Sequence, residues 1–252
     1  MKNKLLILSV FVLLAIAAMA QKGHELVIGA GGSFSSVWIM NQNFYGEPEL
    51  NYAPKAGYSG SFHLGYNLTE NFSIMTELQY SIQGQKYEDK QVMEGVKYEA
   101  LRDITLTYLH IPLFFKYAFG TSSTKFRFMF GPQFGKLLDA TQTYTRDGKT
   151  LGTEAVNLDG ETFKTDAKNI KDRFVDNDIS LALDVGADIH LSDKFFISPG
   201  FRANYGFKDI NAEAYRIKDL DGEYAPSHNV WAGLFISIHY KIDVEGYNQR
   251  SF

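Results

Sequence analysis

Strict alternation of apolar and polar residues over residues 178–207 most constrains the fold of this chain. The apolar row consists of Ile179, Leu181, Leu183, Val185, Ala187, Ile189 and Leu191, followed after a short polar break by Ile197, Pro199, Phe201, Ala203, Tyr205 and Phe207. Because successive side chains of a strand point to opposite faces, this pattern predicts a β-hairpin with a tight turn. Each arm exceeds the usual strand of about five or six residues and approaches the length of a tilted membrane-spanning strand.

The polar face of this hairpin indicates which side meets lipid. It consists of Ser, Gly, Ala and Asn with occasional Asp, Arg or His, whereas a water-exposed face is normally rich in Lys and Glu. Small polar side chains suit a crowded barrel interior, and an outer-membrane barrel turns its apolar row toward lipid. We therefore expect the apolar row to face lipid. A soluble exported eight-stranded barrel that binds a small apolar ligand inside stays open as an alternative.

The N-terminus has the features of a secretory signal peptide. A lysine-containing start precedes an apolar run over residues 5–17, and Ala18-Met19-Ala20 supplies a small-x-small cleavage site. These features predict a cleaved signal peptide over residues 1–20, a barrel domain over residues 21–242 and a tail over residues 243–252. Beyond the signal peptide we find no apolar stretch of ~18 residues, which a membrane helix would need. We therefore expect an exported chain that crosses a bilayer with strands.

Alternating segments along the mature chain predict eight strands. They cover residues 24–39, 55–68, 72–86, 103–119, 125–138, the two arms of the hairpin above, and residues 227–242. The predicted connections after strands two, four and six are short; the long ones cover residues 40–54, 87–102, 139–177 and 208–226. Short periplasmic turns and long extracellular loops are typical of outer-membrane barrels, and lipid tolerates no open sheet edge. We predict an all-β, eight-stranded, antiparallel up-and-down transmembrane barrel, similar in architecture to OmpA- and OmpX-type barrels, in the outer membrane of a Gram-negative bacterium.

Composition agrees with this class and argues against others. Aromatic residues make up 15% of the chain, with 20 Phe and 15 Tyr, as expected for aromatic girdles at the two edges of a membrane band. The net charge of −4 gives no electrostatic basis for binding nucleic acid. The chain contains no cysteine, so it has neither a disulfide nor a thiol nucleophile.

Charged and polar residues on the inward row predict a hydrogen-bonded network in the lumen. The expected members are Glu77, Gln79, His110, Lys116, Asp184, Asp188, His190, Arg202, Asn204 and His239. We expect the three carboxylates of this set to pair with Lys116 and Arg202, because buried charges need partners. A lumen filled in this way would not conduct solutes freely.

The same residues invite a chemical interpretation. Two carboxylates are the ingredients of acid–base catalysis, and His63, His110, His190 and His239 on one inner face suggest metal binding. However, no histidine pair has the close spacing of a metal motif, and we find no Gly-x-Ser-x-Gly and no Ser-His-acid arrangement on one face. We therefore expect no catalytic, cofactor-binding or metal-binding residue. A membrane-embedded barrel enzyme remains a further alternative.

The longest predicted connection, residues 139–177, is where we expect a partner site. Tyr144, Phe163 and Phe174 lie among its charged residues, and aromatic residues amid polar ones commonly anchor interfaces. Long loops are also functional more often than short ones. The expected partners are outer-membrane lipid and another envelope or secretion-system protein.

Two motifs on neighbouring predicted strands resemble those of a known family. Residues 107–119 read TYLHIPLFFKYAF, and residues 130–135 read FGPQFG. Together they resemble the PorT-like outer-membrane β-barrel family of Bacteroidetes, over essentially the whole mature chain. The resemblance implies an outer-membrane barrel. Because the named member of that family is implicated in assembling a secretion machine, it also implies a role in envelope or secretion-system assembly.

Overall fold

Eight long antiparallel strands form the fold. The computed structural model describes residues 25–40, 51–93, 95–147, 149–150, 155–158, 161–164, 169–216, 218 and 222–243. The strands are β1 (Glu25–Met40), β2 (Lys55–Asn67), β3 (Phe72–Met93), β4 (Val96–Gly120), β5 (Thr124–Arg146), β6 (Asn177–His190), β7 (Phe195–Ile197 and Gly200–Gly206) and β8 (His228–Asp243). The predicted signal peptide and the tail beyond Asp243 lie outside the described residues.

The eight strands close into a ring. Each strand pairs with its neighbours in the chain, and β8 pairs with β1 from Glu25↔Asp243 to Met40↔His228. Closure leaves no open barrel edge within the membrane band, as a lipid environment requires. The predicted eight-stranded antiparallel barrel is therefore confirmed. Among the described residues, no helix is both long and apolar enough to cross a membrane.

Short elements decorate the ring at one end. The strand Asn51–Ala53 pairs with β3, Lys149–Thr150 pairs with β5, and Ala155–Leu158 pairs with Glu161–Lys164 in a separate two-stranded sheet. Two single turns of 3-10 helix, Lys171–Arg173 and Glu213–Tyr215, lie in the connections before β6 and after β7. All of these elements lie on the side of the long connections.

The predicted orientation of the two faces is confirmed. On β6, Leu183 and Val185 are exposed while Asp184 is fully buried, and on β5 Phe126 and Phe128 are exposed on either side of the buried Arg127. Aromatic rings pair on the outer wall near the short turns, as in Phe72 with Tyr117 at 4.8 Å and Phe195 with Tyr240 at 4.8 Å between ring centroids. The apolar face therefore forms the lipid-facing wall.

The predicted loop over residues 87–102 is wrong. β3 and β4 continue through it in unbroken register as far as the pair Met93↔Val96. β3, β4 and β5 have 22, 25 and 23 residues, about twice the ~9–11 that span a bilayer. The three strands thus extend beyond the ring as a projecting sheet. The strands were missed because most of this segment lies beyond the membrane band, where a strand needs no apolar row, so its charges resemble those of a loop.

The predicted loop over residues 139–177 is also only partly a loop, because β5 continues to Arg146. Farther along, Ile170 and Phe174 turn back into the mouth of the barrel and are 1% and 4% exposed. They join an apolar group, which we call the outer plug: Ile39, Tyr87, Ile104, Leu106, Tyr108, Leu137, Ala140, Ile170, Phe174 and Ile210. The outer plug lies at the end of the barrel where the sheet projects.

Candidate functional site

The lumen holds a cluster of six charged side chains, which we call the charge cluster. Its members are Glu77, Lys116, Arg127, Asp184, Asp188 and Arg202, each at most 7% exposed. They come from β3, β4, β5, β6 and β7, and the alternation of each strand directs them inward. Three cations face three carboxylates, so the formal charge of the cluster is zero.

Arg202 lies at the centre of the charge cluster. Its two terminal nitrogens donate to the two carboxylate oxygens of Glu77 at 2.7 and 2.9 Å, and its Nε donates to Oδ2 of Asp184 at 2.9 Å. The guanidinium carbon lies 3.8 Å from the ring centroid of Phe235 and 4.8 Å from that of Phe114. The planar fork suits the bidentate contact, and the two ring faces stabilise the cation where water is excluded.

Arg127 connects the two aspartates of β6, and it was absent from the predicted network. Its Nε and Nη2 donate to Oδ1 of Asp184 at 3.1 and 2.9 Å, and its Nη1 donates to Oδ1 of Asp188 at 3.1 Å. Lys116 Nζ lies 2.5 Å from the other oxygen of Asp188. The inward position of Arg127 between Phe126 and Phe128 was the sequence signal that should have placed it in the network.

A chain of hydrogen bonds runs from the charge cluster into the barrel wall. Ser198 Oγ donates to Oδ1 of Asp188 at 2.7 Å, so it accepts from Nδ1 of His239 at 3.3 Å. His239 Nε2 then accepts from Nδ1 of His63 at 2.8 Å, and Ser61 Oγ donates to Nε2 of His63 at 2.7 Å. With one proton on each imidazole, this direction satisfies every group in the chain.

The contacts Ser61–His63–His239 follow the order of a nucleophile, a base and a group that orients the base. Sequence reasoning missed this arrangement because its members lie on β2 and β8, far apart in the chain. All three residues are at most 6% exposed. The adjoining cavity has a volume of about 10 Å³, room for about one water molecule. Ser61, His63 and His239 are therefore buried members of the hydrogen-bonded chain that begins at Asp188.

The other residues predicted for the lumen lie outside the charge cluster. Gln79 Nε2 donates to Ser59 Oγ at 2.9 Å, and Asn204 Nδ2 donates to Ser180 Oγ at 2.9 Å. The ring of His110 lies between two side-chain amides. Gln83 Nε2 on β3 lies 3.0 Å from His110 Nε2, and Gln133 Nε2 on β5 lies 3.0 Å from His110 Nδ1. His190 lies half-buried at the short-turn end, where its ring centroid is 5.3 Å from that of Phe196. Among the described residues, no group of three or more histidine or carboxylate side chains is arranged to hold a metal ion.

The three aromatic residues predicted to anchor a partner have different positions. Phe174 belongs to the outer plug and is 4% exposed, and its role as a partner anchor stays a prediction. Tyr144 lies on β5, with its ring centroid 5.4 Å from the guanidinium carbon of Arg102. The side chain of Phe163 lies outside the described residues. A loop residue packs inward when the surrounding strands offer an apolar pocket, and the linear sequence does not show that pocket.

Solved structures similar to this chain are outer-membrane proteins of low sequence identity. Neisserial surface protein A is 12% identical, with 86% of this chain and 97% of that one covered, at a TM-score of 0.41. OprG from Pseudomonas aeruginosa is 13% identical, with 90% and 99% covered, also at 0.41. The outer membrane protease OmpT from Escherichia coli is 11% identical, with 88% and 98% covered, at 0.39. Likenesses this weak carry no functional conclusion for the present chain.

Family membership rests on the sequence match. No curated protein matches the chain. A family model described as the outer membrane protein beta-barrel domain matches residues 19–212, which is most of the 252 residues. The match agrees with the closed ring of eight strands and its apolar outer wall. The chain therefore belongs to the outer membrane protein beta-barrel domain family and resides in the outer membrane.

Proposed function

We propose that the protein is a closed, non-enzymatic outer-membrane barrel that acts through its projecting extracellular sheet and not as a pore. The observation that carries this proposal is the filling of the lumen. A neutral charge cluster occupies its middle, the outer plug covers one end, and the adjoining cavity measures only about 10 Å³. Eight-stranded barrels have interiors just wide enough for side chains to fill.

A measurement of ion conductance tests whether the lumen is closed. The purified protein, inserted into planar lipid bilayers, should give no steady single-channel current under conditions in which a 16-stranded porin conducts. The physical reason is that ions would have to displace paired charges that are at most 7% exposed. Large, steady single-channel steps from the wild-type protein would refute the closed-barrel proposal.

The extracellular sheet supports the second half of the proposal. Near its tip, Val92 and Val96 are 69% and 52% exposed, while Lys90 lies 3.0 Å from Glu88 and 3.6 Å from Glu99. Exposed apolar side chains amid charges mark a contact surface better than charges alone. The PorT-like motifs support an envelope or secretion-system protein as the partner.

Site-specific photocrosslinking in intact cells tests this surface. A photoreactive amino acid at Val92 should give a discrete adduct with one envelope protein, identifiable by mass spectrometry. The same amino acid at Tyr215, which is also exposed but lies in the connection after β7, is the matched control and should not give that adduct. Absence of any adduct at Val92, or the same adduct at both positions, would contradict the proposal that this sheet contacts a partner.

Deleting residues 151–168 separates the two candidate surfaces. The deletion should leave the barrel folded, because loop length costs little free energy, and it should leave the Val92 adduct unchanged. Loss of that adduct from a barrel that stays folded in cold dodecyl sulfate would assign the partner to the deleted loop instead.

A further inference from the structure

The barrel wall has a weak point between β3 and β4. Their pairing runs up to Thr76↔Leu113 and resumes at Gln79↔His110, but no pair is formed across residues 77–78 and 111–112. Pro112 lies in this gap, and proline has no N–H to donate to a neighbouring strand. In lipid a missing ladder bond has no water to replace it. Pro112 lies within the segment TYLHIPLFFKYAF, residues 107–119, so this segment of the sequence accounts for the local gap in the wall.

A cavity of about 320 Å³ opens on the outer wall beside this gap. It is lined by Phe62 and Leu64 of β2, Thr76 and Leu78 of β3, and Ile111 of β4, with His63 and Glu77 at its inner side. Because Thr76 is smaller than the outward-facing side chains around it, the wall is recessed at this position. We call this recess the notch. The Thr76 hydroxyl donates to the carbonyl oxygen of Pro112 at 2.9 Å, so it presents no free donor to lipid.

The floor of the notch also lacks a free charge. The carboxylate of Glu77 accepts both terminal nitrogens of Arg202. The ring of His63 is bonded on both sides, to Ser61 and to His239. The walls are apolar and exposed, with Phe62 at 73%, Leu64 at 51% and Ile111 at 49%. The notch is therefore suited to hydrocarbon and not to a polar ligand.

The depth of the notch in the membrane indicates which kind of molecule occupies it. On the outer face of β3, Thr76 and Leu78 lie between Phe72, near the short turns, and the exposed Tyr80. Since ~9–11 residues span the bilayer, the notch opens at the depth of the lipid tails. The notch is open on its outer side, and its volume of about 320 Å³ leaves room for a segment of an acyl chain lying against these side chains. We infer that this notch binds one acyl chain of a membrane phospholipid as a specific site.

Lipid retention tests this site on the intact barrel. The protein is refolded into phosphatidylcholine nanodiscs, transferred to detergent and analysed by native mass spectrometry. The wild type should retain one phospholipid per barrel. Thr76→Leu and Leu78→Phe fill the notch with apolar atoms and should lose that lipid. Val185→Phe enlarges an exposed residue on β6, away from the notch, and should retain it. Each variant is first shown to be folded by its mobility in cold dodecyl sulfate.

A second measurement needs no variant. In deuterated detergent, the retained lipid should give a nuclear Overhauser effect from its acyl methylenes to the Ile111 methyl and not to the Ile236 methyl of β8. The inference is overturned if the wild type retains no lipid, if the filled variants retain as much as the wild type, or if the effect reaches both methyls equally. Retention of a second barrel in place of lipid would also overturn it, in favour of a protein occupant.

Discussion

Each member of the charge cluster depends on its neighbours, because these side chains are shielded from water. Arg202 illustrates the point: it is fully buried, and its partners Glu77 and Asp184 are 3% and 0% exposed. A buried ion pair contributes little net stability compared with apolar residues of the same size, but loss of one partner leaves an uncompensated charge. We therefore expect the effect of a substitution to depend on whether the cluster stays neutral.

Arg202→Met should destabilise the barrel by about 3–5 kcal/mol, because Glu77 and Asp184 lose a shared partner. Urea unfolding in lipid vesicles, followed by tryptophan fluorescence, measures the change. Adding Glu77→Gln to this variant restores the neutrality of the cluster and should recover part of the loss. Lys90→Met, which breaks an exposed pair with Glu88, is the control and should have no resolved effect. An Arg202→Met midpoint equal to that of the wild type would contradict the central role of Arg202.

At the rim from which the sheet projects, a single exposed contact predicts a pH dependence. Lys136 Nζ donates to Oδ2 of Asp176 at 2.6 Å, and this hydrogen bond lowers the pKa of the Asp176 carboxyl. Because the folded pKa lies below the unfolded one, the contact stabilises the rim above the ordinary pKa of aspartate. That contribution is lost as the pH falls through the lowered value. Carboxyl carbon shifts followed by NMR should show Asp176 titrating at higher pH in Lys136→Met, and identical curves would disprove the contact.

At the scale of elements, β3 and β4 pass from the membrane into water without a break. Gly84 lies in this stretch of β3 with a φ of 130°, a region that side chains rarely adopt. A Cβ at this position would lie 2.0 Å from the carbonyl oxygen of Ile104 on β4. The glycine therefore permits a close approach of the two strands just where the outer plug begins.

Gly84→Ala should destabilise the barrel by at least about 1–3 kcal/mol, the usual cost of a strained backbone conformation, with the steric clash in addition. The unfolding experiment described for Arg202 measures the change. Gly60→Ala in β2 is the matched control, since a Cβ there meets no atom within 4 Å. Equal stability of the two variants would mean that the strands separate at Gly84 without cost.

At the scale of the whole molecule, the buried side chains of the interior lie in layers. Phe196, 2% exposed, lies near the short turns with Lys116 Nζ 5.3 Å from its ring centroid. The charge cluster follows, then the glutamine and histidine contacts, and finally the apolar outer plug. The projecting sheet and the short turns lie at opposite ends, so the two ends of the described part of the chain differ, and the sheet gives one of them a large protein surface.

This polarity predicts the orientation in the outer membrane. The chain has no cysteine, so single cysteines can be introduced at Lys90, on the projecting sheet, and at Asp193, in the turn between β6 and β7. Because outer-membrane barrels place short turns in the periplasm, a bulky impermeant maleimide should label Lys90→Cys on intact cells. It should label Asp193→Cys only after the outer membrane is permeabilised. The reverse pattern would require an inverted barrel.

The local alternation of apolar and polar residues was sufficient to predict the closed ring of strands and its two faces. Alternation with a period of two is a property of the chain itself, so the outward Leu183 and Val185 and the inward Asp184 were predictable from neighbouring residues. The strand count followed from the number of alternating segments, and closure followed from the intolerance of lipid for unpaired backbone. These inferences needed no knowledge of which strand residues face each other.

Long-range contacts depended on the closed three-dimensional structure. The partners of Arg127 and the contact between His63 and His239 follow from strand register around the ring, and a shift of one residue would exchange the inward and outward rows. The burial of Phe174 depends on an apolar mouth built by residues far away in the chain. The projecting part of β3 and β4 carries no apolar row because it lies beyond the membrane band. The sequence alone therefore determined the membrane barrel, whereas register and burial set the pairing of its charges and the packing of the apolar residues at its outer end.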